Sequence, residues 1–140
     1  MNISELRKEA ESGSVVAQSV LGICYLHGTE VQVDYQEAFR LLSAAAERGA
    51  PRAVANLARM YALGLGIPKD PIQAFRLYER AAKAGEFTAQ IELARIYARG
   101  VGVAVDREAA HRWYSAAAAQ GGRIVDCEEL REAKAFLSKR

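Results

Sequence analysis

The chain holds two cysteines, two histidines and three prolines in 140 residues, and each scarcity removes a class of protein. Cys24 and Cys127 lie near opposite ends without C-x-x-C spacing, so neither a zinc site nor a dithiol redox pair is expected. In a stacked fold they stand beyond the ~7 Å Cα separation that a disulfide tolerates. Both read as free thiols, Cys24 half-buried and Cys127 in a terminal helix, which fits a reducing compartment. No run of eighteen apolar residues occurs, which removes a membrane-spanning helix. The amphipathic start, Ile3-Ser4-Glu5-Leu6-Arg7, lacks the apolar middle of a secretory leader. The expected compartment is the cytoplasm, or the periplasm or exterior if a leader or anchor has been trimmed. An excess of one charge is missing too. With 19 Lys and Arg against 17 Asp and Glu, the net charge of +2 leaves no footprint for nucleic acid or an anionic membrane. Neither is an expected partner.

What the chain does have is a core and a period. Its hydrophobic fraction of 51% supports one folded domain over residues 1–140. Gly13, Gly49, Gly85 and Gly121 recur every 36 residues. The same offset links Ala17, Ala53 and Ala89; Leu21, Leu57 and Leu93; Tyr25, Tyr61 and Tyr97; and Asp34, Asp70 and Asp106. Ala38, Ala74 and Ala110 follow it, as do Ala45, Ala81 and Ala117 with the alanine after each. Recurrence of this kind is the signature of a stacked repeat.

Each unit reads as two helices. In helix A, Ala17, Leu21, Gly22 and Tyr25 share one face of a 3.6-residue period, and the next two units repeat it. The small residue beside each Leu lets a neighbouring helix come close. Helix B opens at Asp34, Asp70 or Asp106, whose carboxylates are placed to cap it, with Glu37 spaced for a reciprocal capping box and Pro71 at a first helical position. Its apolar face runs Ala38, Leu41, Leu42, Ala45, Ala46, and it ends at Gly49, Gly85 or Gly121, suited to a left-handed C-cap. The connection in unit one, Gly28-Thr29-Glu30, departs from the Gly-x-Gly of the other two and predicts a strained or different loop. The repeats are 14–49, 50–85 and 86–121. Residues 1–13 form an N-terminal cap in helix B register, and 122–140 a C-terminal cap behind a capping box at Asp126-Cys127-Glu128-Glu129, its phase shifted by Gly122.

The unit A-x-x-x-L-G/A-x-x-Y-x-x-G-x-G-x-x-x-D-x-x-x-A, closing on A-A-x-x-G, resembles the Sel-1-like repeat, a relative of the tetratricopeptide repeat. The resemblance covers residues 14–121. It implies an all-α fold, a right-handed α/α superhelix (solenoid) of three 36-residue helix pairs with capping helices at both ends, its concave face lined by A helices. It also implies an adaptor or scaffold that binds protein. A cysteine-rich branch of that family has been linked to β-lactam binding or hydrolysis. Here the counterparts of Cys24 are Met60 and Ile96, so its bridge pattern is absent.

Catalysis finds little to build on. His27 and His111 have no Cys or carboxylate at ligand spacing on their own faces, and neither G-x-S-x-G nor H-E-x-x-H occurs. Gly64-Leu65-Gly66 and Gly100-Val101-Gly102 follow helices instead of strands, so they read as connectors, not phosphate loops. No catalytic residue, metal or cofactor is expected. The aromatic residues Tyr78, Trp113, Tyr114 and the recurring Tyr read as core, which argues against a base-stacking platform for RNA.

What varies between units is a stripe on helix A. It runs through Val16, Val20, Ile23 and His27, then Arg52, Asn56, Arg59 and Leu63, then Thr88, Glu92, Arg95 and Arg99. By analogy with tetratricopeptide folds this stripe borders the concave groove, apolar at its N-terminal end and arginine-lined toward its C-terminal end. Three exposed apolar residues on one helix ask for a covering partner, and arginines suit carboxylates. The expected partner is a protein or peptide with an apolar anchor and an acidic segment, bound by a monomer. Charge reversal at Arg59 and Arg95 is expected to weaken capture while leaving stability nearly unchanged. The alternatives are a β-lactam-type hydrolase and an immunity or chaperone protein for a toxin or effector.

Overall fold

The computed structural model describes residues 2–121 and 127–139, and among them eight α-helices and no strand. They are α1 (Ile3–Glu11), α2 (Val15–His27), α3 (Tyr35–Glu47), α4 (Pro51–Leu63), α5 (Pro71–Lys83), α6 (Phe87–Arg99), α7 (Arg107–Ala118) and α8 (Glu128–Ser138). Thus α2–α3, α4–α5 and α6–α7 are the three expected helix pairs, with α1 and α8 at the ends.

The second helix of each pair begins where an aspartate side chain satisfies a free amide. Asp34 accepts from the Glu37 amide at 3.1 Å, Asp70 from Gln73 at 3.1 Å and Asp106 from Ala109 at 3.0 Å. The reciprocal arm expected of Glu37 does not form: the Asp34 amide donates to the Tyr25 carbonyl at 3.0 Å, and the Glu37 carboxylate pairs with Arg40 one turn further along α3. Gly49 and Gly85 take the expected left-handed conformation, but Gly121 does not. There α7 unwinds into a further turn, the amides of Gln120 and Gly121 donating to the carbonyls of Ala117 and Ala118. The connection in unit one does differ from the next. Gly66 sits so close to Tyr35 that a Cβ would lie 2.6 Å from the tyrosine Cβ. Glu30, its counterpart one period earlier, holds φ 61° as a non-glycine residue.

The chain divides into two compact units, Met1–Leu77 and Tyr78–Arg140. In the first, Leu6 and Ala10 of α1 pack with Ala17, Leu21 and Leu41. A second cluster joins Leu26, Ala38, Leu42, Ala45, Ala53 and Met60 across α2, α3 and α4, with Tyr25, Phe39, Leu65 and Ile67 against it. Leu42 and Met60 are wholly buried, each contributing about 1.5–3 kcal/mol. In the second unit Ile91, Ala94, Tyr114, Ala117 and Ala133 form the core, flanked by Phe87, Trp113, Phe136 and Leu137. Helix α8 packs on both α6 and α7, as α4 packs on both α2 and α3. The C-terminal cap therefore stands where the first helix of a further pair would stand.

Two further details depart from expectation. Cys24 is buried instead of half-buried, and burial, aided by the nearby Glu30 carboxylate, pushes its thiol above the usual range. At α8, Cys127 occupies the N-cap without a side-chain capping bond. The expected contributions of Asp126 and Gly122 fall outside the described residues.

Candidate functional site

The variable stripe begins on α2. Val16 is 73% exposed, and His27 is exposed at the far end of the helix. Val20 packs against the Leu6–Leu21 cluster and Ile23 against the Leu26–Met60 cluster, so the expected trio of exposed apolar residues reduces to Val16. The clusters they join bring in residues of α1, α3 and α4, a cover that the helical period alone does not reveal.

On α4 the stripe lies open. Arg52 and Arg59 are exposed, and Leu63 is 55% exposed. Asn56 between them is half-buried and donates from Nδ2 to the Arg52 carbonyl at 2.9 Å. Among the described residues neither arginine side chain has an ion pair or a hydrogen bond. Because α2 packs beside α4, the first unit carries Val16, His27, Arg52, Arg59 and Leu63 at matching positions of two adjacent helices.

The second unit uses the same positions differently. Thr88 and Arg99 are exposed, whereas Glu92 and Arg95 are half-buried. Arg95 grips Glu132 of α8 with two donors, Nε to Oε2 at 2.8 Å and Nη2 to Oε1 at 2.5 Å. It also pairs with Glu92 one turn back on α6. The Tyr114 hydroxyl donates to Glu132 Oε2 at 2.6 Å. The electrostatics agree with this geometry. The hydrogen bond from Arg95, then that from Tyr114, holds the Glu132 carboxyl below its ordinary range, against the opposing effect of burial. Burial first, then the bond to Glu132, pushes the Tyr114 hydroxyl upward. Arg95 is therefore not a free receptor for a partner's acid, and its reversal is not neutral for stability. Its carboxylate comes from the chain's own C-terminal helix.

Glu132 and Tyr114 are the functional-looking polar residues that reading the sequence missed. One signal was present. Glu132 lies 37 positions after Arg95, one period plus a single-residue slip.

Other features close on themselves. A cavity of about 250 Å³ is bordered by Arg7, Glu11, Tyr25, Glu37 and Arg40, but Arg7 already donates to the Tyr25 hydroxyl at 2.8 Å and Arg40 pairs with Glu37. His111 faces the Ser115 hydroxyl at 3.5 Å. Among the described residues no three His, Cys, Asp or Glu side chains gather as metal ligands would, and no helix is long and apolar enough to cross a membrane.

Residues 15–49, 51–86 and 88–122 each match the Sel1 repeat. The chain belongs to the Sel1 repeat family. This Sel1 chain is 46% identical to a Sel1 repeat protein from Oxalobacter formigenes, with a TM-score of 0.78 over 96% of this chain and 95% of that one. It is 38% identical, at a TM-score of 0.81, to a protective antigen of uropathogenic Escherichia coli displaying an SLR fold. That match covers 86% of this chain and 26% of the antigen. Helicobacter pylori cysteine rich protein B shares the fold at 21% identity and a TM-score of 0.71, covering 94% of this chain and 96% of that one. No curated protein matches the chain. Sel1 repeat proteins are generally protein-interaction modules, and the all-helical pairs described here are that repeat.

Proposed function

We propose that this Sel1 repeat protein is an adaptor or scaffold, one repeat domain over residues 1–140, whose open surface on α2 and α4 captures a peptide or partner protein. The protein acts as a monomer, and binding needs no cofactor. One observation carries the reading: Arg52 and Arg59 stand exposed and, among the described residues, unpaired, with Val16 and Leu63 exposed on the same two helices, while the repeated positions around them are committed to the core. Unpaired arginines next to apolar surface make a contact that a solvated face does not need. His27 extends the surface on α2. In the second unit, Thr88 and Arg99 are the stripe residues left open, since Arg95 is held by Glu132 of α8 and Glu92 pairs with Arg95.

The test is affinity capture from the source cell with the wild-type protein and with the Arg52→Glu, Arg59→Glu double variant, followed by mass spectrometry. The reading expects a partner recovered by the wild type and lost from the double variant. A partner held equally by both proteins would place binding elsewhere.

A further inference from the structure

We infer that Arg52 and Arg59 form a two-point carboxylate receptor, and that the partner segment presents two carboxylates about 10 Å apart followed by an apolar residue. This rests on the docking surface proposed above and names the chemistry that fills it.

The chain contains its own precedent. Arg95 occupies on α6 the position that Arg59 occupies on α4, one period earlier. There the guanidinium takes both oxygens of Glu132, the planar fork matching a carboxylate. It has a second acid in Glu92, one turn back. At the same place before Arg59 stands Asn56, whose amide is already bonded to a backbone carbonyl. Indeed α4 contains no aspartate or glutamate anywhere in its sequence PRAVANLARMYAL. Nothing on its own helix can neutralise Arg59.

Arg52 adds a second, independent sign. It stands in the first turn of α4, which has no acidic residue to offset it. The partial positive charge of a helix N-terminus disfavours a cation there and favours an anion. Its counterpart on α6 is Thr88, so the arginine pair is peculiar to α4. Seven residues separate Arg52 from Arg59, two turns of helix or ~10.5 Å along the axis. Leu63 follows one turn beyond, ~6 Å further. An extended peptide of polyproline pitch, ~3.1 Å per residue and three residues per turn, brings Glu-x-x-Glu carboxylates ~9.3 Å apart on one side and an apolar residue two positions later ~6 Å beyond, on the adjoining side. The spacing favours Glu-x-x-Glu-x-Leu.

Two fluorescein-labelled peptides test this by anisotropy in low salt, Glu-Ala-Ala-Glu-Ala-Leu and Gln-Ala-Ala-Gln-Ala-Leu, with protein up to millimolar concentration. The wild type is expected to bind the acidic peptide at least tenfold more tightly, with that preference shrinking as salt rises. Arg59→Gln should abolish the preference while leaving affinity for the neutral peptide unchanged. Arg52→Gln should lower the preference several-fold. Arg95→Gln should keep it and instead lower the melting temperature. Equal binding of both peptides, unaltered by Arg59→Gln, overturns the carboxylate receptor but leaves docking on α2 and α4 standing. Absence of binding by either peptide removes both.

Discussion

Replacing Glu132 by alanine strips α8 of its polar attachment, and the structure sets the size of the loss. Tyr114 is 4% exposed, and its hydroxyl would lose its acceptor. A buried hydroxyl without a partner costs ~1–3 kcal/mol. The pair with Arg95 is partly solvated, at 24% and 31% side-chain exposure, so its bidentate contact contributes about 1 kcal/mol. Arg95 keeps Glu92, which limits the penalty. The two terms sum to about 2–4 kcal/mol, and the retained Arg95–Glu92 pair places Glu132→Ala in the lower part, about 2–3 kcal/mol, whereas Glu132→Gln still accepts from Tyr114 and should lose about 1 kcal/mol. At roughly 3–5 °C per kcal/mol for a chain of this size, thermal unfolding should fall by about 6–15 °C and 3–5 °C respectively. If α8 opens on its own, its amides report the same energy, exchanging roughly 30- to 150-fold faster in the alanine variant.

The clasp also predicts a pH dependence with a definite sign. The folded chain holds the Glu132 carboxyl below its ordinary value of 4.5, so the unfolded chain binds the proton more tightly. Its contribution is complete above about pH 4.5 and is lost as pH falls through the lower folded value. Tyr114 is raised above its ordinary value of 10.0, so its share is complete below that pH and is lost as pH climbs beyond it toward the folded value. Glu132→Gln should flatten the acid limb and leave the neutral plateau parallel to wild type. An alanine variant that melts with wild type, and whose α8 exchanges no faster, would refute the assignment of Glu132 as the anchor.

Three further changes test the packing. Gly22→Ala sets a methyl 2.8 Å from Leu42 Cγ, and fully buried Leu42 has nowhere to move. Overpacking of ~1–3 kcal/mol should exceed the ~1 kcal/mol gain in helix propensity, so chemical denaturation should show net destabilisation. Glu30→Gly relieves a left-handed φ of 61° and should stabilise by about 0.5–1 kcal/mol, seen as a higher denaturation midpoint with unchanged slope. Arg48→Gln copies the second unit, where Gln120 Nε2 donates both to the Gly85 carbonyl and to Gln90 Oε1. In the first unit, among the described residues, Arg48 reaches only the Gly13 carbonyl, and the buried Gln18 Oε1 has no partner. The variant should gain roughly 0.5–1.5 kcal/mol, and a lower melting temperature would count against the copied network.

How much of this could be read without coordinates follows from the range of each interaction. Ala17, Leu21, Ala38, Leu42 and Ala45 were legible as core because helix geometry projects fixed spacings onto one face, and the recurrence every 36 residues marks which face is shared. The caps at Asp34, Asp70 and Asp106 were legible because donor and acceptor lie three residues apart. The candidate surface was legible only in outline. Its positions came from what the repeat leaves unrepeated, but their exposure did not. Val20 and Ile23 are half-covered by residues far along the chain, Leu6 of α1 and Met60 of α4 among those in the clusters they join.

The amino-acid sequence by itself determined the helix pairs, the aspartates that open the second helix of each and the recurring inward positions, since these depend on neighbours within a turn or two. Only the tertiary structure decided which arginine is committed and which is open. Arg59 and Arg95 have the same repeat position, and their difference rests on a carboxylate that arrives from another helix after a one-residue slip in phase. Long-range pairing of that kind is set by how helices pack, and no local pattern encodes it.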